Sequence, residues 1–187
     1  MSSADISKWN KKYAASEISG KQAPDEELIR YADLLPNSGL ALDLACGLGK
    51  NALYLAQQGL DVVALDGSSK GLAVLDQAAN TLGLSARLQT LQADLDEYAL
   101  PEAHFDLIVV VRYLNPPLFP AIAAALKPGG VLLYKTFNRK VLESRPHFNA
   151  SFTIEQDVLR AGFASLLVLE NQCDEYEYSF LLAKKQA

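Results

Sequence analysis

Leu40-Ala41-Leu42-Asp43-Leu44-Ala45-Cys46-Gly47-Leu48-Gly49 passes from an aliphatic run to a turn of small residues, and Lys50–Gln58 follows with Ala52, Leu53 and Ala56 on one helical face. The pattern reads as strand, tight turn, helix. Small residues at such a turn let the backbone approach a ligand closely, and an acid at the strand end, here Asp43, can accept hydrogen bonds. A lone Gly-x-Gly serves a purely steric turn equally well, so its surroundings decide the reading.

Working outward, Gly59 closes that helix and Asp61–Leu65 forms a second strand, with Asp66 at its tip 23 residues after Asp43. Ser68 is placed to cap a helix whose Leu72, Leu75, Ala79 and Leu82 recur at helical spacing until Gly83. Arg87–Ala93 reads as a third strand ending at Asp94, and Phe105–Val111, a continuous apolar run, as a central one. A helix over Leu118–Leu126 leads to Lys127-Pro128-Gly129-Gly130, a turn by composition, and then to the strand Val131–Thr136. Thr153 and Gln156 suggest a capping box opening a helix to Ala161, closed by Gly162. Ser165–Glu170 and Tyr178–Ala183 have only a short acidic connection between them and should pair as an antiparallel hairpin. Before residue 40, Pro24 to Leu35 reads as a helix with Leu28, Ile29, Ala32 and Leu35 inward.

This rhythm predicts an α/β fold of three layers, with a seven-stranded, mostly parallel sheet ending in an antiparallel hairpin. A single domain over 1–187 is expected, in which 1–38 is a helical lid or cap and 39–187 the sheet core. Half of the 187 residues are hydrophobic and 21% are charged, so the chain is too apolar for disorder. No apolar stretch approaches the roughly 20 residues of a spanning helix, and Met1–Tyr13 lacks the apolar core of a signal peptide, so a cytoplasmic protein is expected. A net charge of −5 argues against a nucleic-acid partner. Cys46 and Cys173 form no CxxC pair, so neither a disulfide framework nor a metal site is expected.

The motifs together resemble the class I S-adenosylmethionine-dependent methyltransferases over nearly the whole chain. Asp43 through Gly49 is similar to their first motif, Asp66 to their ribose-binding acid, Ala93-Asp94 to their adenine-contacting motif, and Phe105-Asp106-Leu107-Ile108 to their fourth strand. Leu126 to Gly130 is similar to the turn before their fifth strand. Ala45 departs from the pattern by standing at the first glycine position, which is harmless if its φ is negative and costs roughly 1 kcal/mol if it is left-handed. Trp9-Asn10-Lys11-Lys12-Tyr13-Ala14, Asn51-Ala52, Tyr113-Leu114 ahead of Pro117-Leu118-Phe119-Pro120, and Thr136-Phe137 resemble, within that superfamily, small bacterial methyltransferases of the tellurite-resistance type.

The resemblance implies S-adenosyl-L-methionine as cofactor and a small-molecule acceptor, a thiol or a metalloid oxyanion such as tellurite, in a monomer or homodimer. It places the cofactor on Asp43, Ala45, Cys46, Gly47, Gly49, Asn51, Asp66, Gly67, Ser68, Asp94, Leu95, Val111 and Arg112, with Trp9 and Tyr13 from the N-terminal segment. Arg112, Tyr113 and His147 are the candidate catalytic residues. Each has a plainer reading beside it. The three aspartates suit strand ends on structural grounds, Cys46 suits a small hydrophobe, and Arg112 suits a salt bridge as well as an anion anchor. His147 suits a surface position as well as a proton acceptor, and Lys135 and Arg139 suit solvent as well as an anionic substrate. Trp9 and Tyr13, four apart, share a helical face that suits either a lid or packing on the sheet edge. Asn115-Pro116-Pro117-Leu118 resembles the Asn-Pro-Pro-aromatic box of enzymes that methylate amino groups, but it lies nine residues after Asp106 and has Leu118 where an aromatic should stack. A cofactor-binding regulatory module without turnover and an NAD-dependent oxidoreductase share the first motif; Asp94 and the terminal hairpin speak against the latter.

Overall fold

Aliphatic side chains cover both faces of the first two strands, Leu40–Leu44 (β1) and Asp61–Asp66 (β2), where Ala41, Leu42, Leu44, Ala64 and Leu65 are all at most 1% exposed. Burial on both faces is what a parallel strand between helices requires. The computed structural model describes residues 3–14, 23–155, 157–173 and 177–186. The chain divides into two units, residues 1–99 and 100–187.

In the first unit β1 pairs in parallel with β2, from Leu40 opposite Asp61 to Leu44 opposite Leu65, and β2 pairs in parallel with Leu88–Gln92 (β3). The helices of this unit are Ser3–Tyr13 (α1), Glu26–Arg30 (α2), Lys50–Gln57 (α3) and Ser69–Thr81 (α4). α3 buries Ala52, Leu53, Leu55 and Ala56, and α4 buries Leu72, Leu75, Ala78 and Ala79. Ser68 caps α4 as expected by accepting from the Gly71 N–H at 3.1 Å. Leu82, expected inward, is the residue at which α4 ends and is 38% exposed.

The helix expected over Pro24–Leu35 is shorter. Asp25 caps α2, which stops at Arg30, and a 3-10 turn over Ala32–Leu34 follows. Leu28 is buried, but Ile29 is 55% exposed and Ala32 is also outside. Leu35 precedes Pro36, which disfavours helical backbone, and it is extended with φ −88° and ψ 150°. The tightened turn changes the period, so the face that begins at Leu28 does not continue.

Between β1 and α3 the backbone alternates into the left-handed region, with φ of +59° at Ala45, +59° at Gly47 and +76° at Gly49. Gly49 has no room for a side chain, because a Cβ there would run into the Leu75 methyls of α4. A Cβ on Gly71 would stand 2.7 Å from the Gly47 carbonyl, so the loop and α4 touch backbone to backbone. Ala45 meets the unfavourable one of its two alternatives.

The second unit holds Phe105–Val111 (β4), Leu126–Asn138 (β5), Thr153–Ile154 (β6), Leu167–Cys173 (β7) and Tyr178–Lys184 (β8). β4 and β5 are parallel; β8 runs antiparallel on β5 and β7 antiparallel on β8, giving the order β4-β5-β8-β7 within this unit. The hairpin is therefore as expected, and β6 is a two-residue addition alongside the end of β5. Helices Phe119–Ala125 (α5), Val141–Ser144 (α6) and Val158–Gly162 (α7) complete it, with Phe119, Tyr134 and Phe163 packed ring to ring at 4.7 to 5.7 Å.

Two expectations here need correcting. Lys127-Pro128-Gly129-Gly130 does not reverse the chain: Phe105 pairs with Leu126 and Leu107 with Val131, so the tetrapeptide bulges from β5 opposite Asp106. The bulge is held by Lys127 on Asp106 at 2.7 Å and by the Gly129 N–H on the Lys185 carbonyl at 2.9 Å. Thr153 caps no helix. It lies in β6, and its hydroxyl donates to the Ala150 carbonyl at 2.8 Å, while Gln156 lies outside the described residues. α7 begins later, and Gly162 is its last residue, where a Cβ would overlap the Phe119 ring.

The β1–α3 turn makes two opposite forecasts in urea denaturation. Gly49→Ala should lower stability by at least ~2 kcal/mol, from left-handed strain plus overlap with Leu75. Ala45→Gly should raise it by about 0.5–1 kcal/mol by relieving the strain of a side chain in that region.

Candidate functional site

Two buried carboxylates organise the tip of the first unit. Asp43, in β1, is 1% exposed and accepts from the Ala52 N–H at 3.0 Å, so it satisfies a donor in the first turn of α3. Asp66 ends β2, is 4% exposed, and accepts from the Gly47 N–H at 2.8 Å and the Ser68 N–H at 2.7 Å. One acid therefore ties the glycine loop to the entrance of α4. Burial pushes the Asp43 carboxyl up to about 7, with the Asp66 charge adding to it and the Ala52 N–H and Lys50 opposing. Burial also raises Asp66, against the backbone donors of Ser68, Gly47 and Gly67. Each carboxylate offers about four lone-pair directions, so the observed backbone bonds leave acceptor capacity on both.

Cys46 is half-buried and its thiol is pushed well up by burial and by the Asp43 and Asp66 charges. It is thus a small hydrophobe in this loop and a poor nucleophile. Asn51, 5% exposed, is engaged in the fold, since its side-chain carbonyl accepts from the Asp25 N–H at 2.8 Å and fixes the start of α2. Gly67 is buried. Asp94 caps the turn after β3 by accepting from the Asp96 N–H at 3.0 Å, and Leu95 beside it is 1% exposed.

α1 is anchored over this loop. Asn10 accepts from the Ser68 hydroxyl at 2.7 Å and from the Lys70 N–H at 3.2 Å, which serves two groups at the start of α4. Trp9 and Tyr13 stack with ring centres 5.4 Å apart, and Lys12 lies over the Trp9 ring at 4.4 Å. The Tyr13 hydroxyl stands 2.8 Å from the point where a Gly47 Cβ would be. Its phenol is raised by burial first and then by the Asp66 and Cys46 charges. Tyr13 of this pair thus packs against the glycine loop. Asn10 is a contributor that helical spacing did not single out, because periodicity says nothing about which neighbouring helix a polar side chain will cap.

In the second unit Val111 ends β4 and Arg112 follows it with φ +60°, another non-glycine in the left-handed region. The Arg112 N–H donates to the Lys135 carbonyl at 2.8 Å, and its guanidinium lies over the Tyr178 ring. Lys135 does not face solvent: it is 3% exposed. Arg139 pairs with Glu155 at 2.6 Å. Tyr113 accepts from the Tyr134 hydroxyl at its carbonyl, at 3.0 Å, and from Asn115 at its own hydroxyl, at 3.3 Å. The Asn115 carbonyl accepts from the Leu118 N–H at 3.0 Å within a 3-10 turn, so the oxygen that an Asn-Pro-Pro box presents to an amine is used locally here. His147 is exposed. The segment between β5 and β6 is fastened by Arg145 on Glu177 at 2.8 Å, Ser144 on Glu177 at 2.6 Å, and Phe148 on Phe137 at 4.8 Å. Among the described residues there is no cluster of metal-ligating side chains and no helix long and apolar enough to cross a membrane.

Comparison with known proteins adds family to this geometry. Residues 41–130 match the family described as a methyltransferase domain. YqeM of Bacillus subtilis, named as a methyltransferase, is 30% identical over 122 residues, covering 60% of this chain and 48% of YqeM. A tRNA1(Val) (adenine(37)-N6)-methyltransferase of Yersinia pestis is 40% identical over 87 residues, covering 44% of this chain and 34% of that enzyme. The chain thus spans less than half the length of these curated relatives. The structure of TehB from Haemophilus influenzae superposes with a TM-score of 0.76 at 22% identity, over 90% of this chain and 64% of TehB, which establishes a shared fold. The glycine loop and the two strand-tip acids fall within the residues that match a methyltransferase domain, and the fold is one shared with S-adenosylmethionine-dependent methyltransferases.

Proposed function

We propose that this protein transfers the methyl group of S-adenosyl-L-methionine to a small-molecule acceptor in the cytoplasm. The observation that carries the reading is the pair of buried carboxylates on successive parallel strands flanking a left-handed glycine loop, the edge at which α/β sheets bind ligands. Asp66 retains acceptor capacity for the two ribose hydroxyls, and Asp94 lies at the next strand end for the adenine amine. Asp43 and the Gly47–Gly49 backbone would hold the methionine part, with Tyr13 and Trp9 covering it. The cofactor supplies a methyl group on a sulfonium, already electrophilic. The chain's work is then to orient an acceptor lone pair and keep water out. Arg112 and Tyr113, at the carboxyl end of β4, are the proposed acceptor-side residues. A thiol or a metalloid oxyanion such as tellurite suits that demand, since neither needs a strong general base. Methylation of a nucleic-acid amino group, the activity in the name of the Yersinia relative, is opposed by Leu118 in the stacking position and by the engaged Asn115 carbonyl.

Two calorimetric measurements check this reading. Wild-type protein should bind S-adenosylhomocysteine, and Asp66→Asn should weaken it at least tenfold, about 1.4 kcal/mol. Undiminished binding in the variant, or none in the wild type, would sink the assignment; tight binding without turnover on a panel of thiols, oxyanions and carboxylates would leave a regulatory module instead. The second concerns protons. A bound ammonium beside Asp43 favours its ionised form, so a carboxyl poised at about 7 should release a proton on binding. Affinity should therefore rise as pH goes from roughly 6 to 8, and binding heats near pH 7 should depend on buffer ionisation enthalpy. Asp43→Asn should remove most of that dependence.

A further inference from the structure

α1 has 11 residues and packs on α4 without burying a side chain: its described residues are half-buried, as Ile6, Trp9, Asn10 and Tyr13 are, or exposed. A helix this short is marginal in water by itself, so specific contacts must hold it in place. Along the seam lies a hollow of about 380 Å³ lined by Ile6, Ser7, Asn10, Lys11, Ala14 and Lys70, which leaves the packing there incomplete. What fastens the seam is Asn10.

Both of its hydrogen bonds are made at one atom. Asn10 Oδ1 accepts from the Ser68 hydroxyl at 2.7 Å and from the Lys70 N–H at 3.2 Å. Ser68 has a single hydroxyl proton, and giving it to Asn10 leaves the oxygen lone pairs for the Gly71 N–H at 3.1 Å. The Ser68 N–H is bound to Asp66 at 2.7 Å, and Asp66 holds the Gly47 N–H at 2.8 Å. An unbroken run of hydrogen bonds thus leads from α1, through the start of α4, to the acid and the loop assigned to the cofactor. One turn further along α1, Tyr13 rests on the same backbone. Its ring comes within 3.1 Å of where a Gly71 Cβ would stand, and its hydroxyl within 2.8 Å of the corresponding point on Gly47.

We infer that Asn10 is a positioning residue for cofactor binding, latching α1 to the entrance of α4 so that Tyr13 stays closed over the ligand at Asp66 and the glycine loop. This rests on the methyltransferase reading above and adds to it a residue that acts through Tyr13. Docking of α1 and binding of the ligand are then coupled, and the coupling is reciprocal: a ligand under Tyr13 tightens α1, and loss of the latch loosens the ligand. Only the acceptor side of the amide is used, so a carboxylate can take its place, and a carboxylate suits the N-terminus of α4.

Trp9, the chain's one tryptophan, stacks on Tyr13 and reports the docking directly. Acrylamide quenching of its fluorescence is measured on the full chain with and without S-adenosylhomocysteine, after calorimetry has established that the wild type binds it. Absence of binding at that step counts against the methyltransferase reading, while quenching of the ligand-free protein still tests the latch. Asn10→Ala should raise the ligand-free quenching constant at least about twofold and weaken S-adenosylhomocysteine at least about fivefold, mainly through faster dissociation. Asn10→Asp should bring both back to within about twofold of wild type, which the removal of a merely structural side chain would not predict. On a Tyr13→Ala background, where the latch has nothing to close, adding Asn10→Ala should change ligand affinity by less than about twofold. The inference falls if Asn10→Ala leaves either the quenching or the affinity at the wild-type level, or if Asn10→Asp is as weak as Asn10→Ala. It falls equally if the alanine costs as much affinity without Tyr13 as with it, since Asn10 would then serve Ser68 alone.

Discussion

A parallel strand that runs into a helix leaves backbone N–H groups pointing past its end, and the first unit depends on how two buried carboxylates meet them. Asp43 accepts from the first turn of α3, and Asp66 accepts from both the glycine loop and the entrance of α4. An orphaned buried donor costs about 1–3 kcal/mol, so these three bonds hold the strand tips, the loop and both helices in one arrangement. The requirement runs the other way as well. Carboxylates buried this deeply are raised towards protonation, Asp43 to about 7, so the fold keeps two acids in a state that a cationic or hydroxyl-bearing ligand would stabilise.

That double use explains why a structural and a ligand-binding reading of the same aspartates could not be separated by spacing. Asp43 and Asp66 stand at strand ends for the sake of the helices, and this places them at the edge where ligands bind. Ala45 shows the same coupling from the backbone side. A methyl group in the left-handed region costs roughly 1 kcal/mol, yet the turn keeps its shape because Gly47, Gly49 and Gly71 allow loop and helix to touch. Asn10 and Tyr13 close the arrangement from α1, one on the entrance of α4 and the other over Gly47.

The strands were legible because aliphatic runs such as Leu107–Val111 follow a loop and are rich in β-branched residues, and the hairpin because its connection is too short for a helix. What escaped is physical in each case. Ile29 fits a helical face, but the pre-proline Leu35 and a 3-10 turn shift the period before the face completes. Thr153 and Gln156 have the right spacing for a cap, but pairing with the end of β5 takes Thr153 into a strand. Lys127 to Gly130 has turn composition, but Leu126 pairs with Phe105 ahead of it, so the glycines are used for a bulge. Among site residues, Lys135 was open to a solvent reading because lysine usually is; only the fold shows it 3% exposed beside Tyr178. Except at Leu35, where the effect of Pro36 is itself local, a long-range contact outweighed a local signal, which no window of sequence contains.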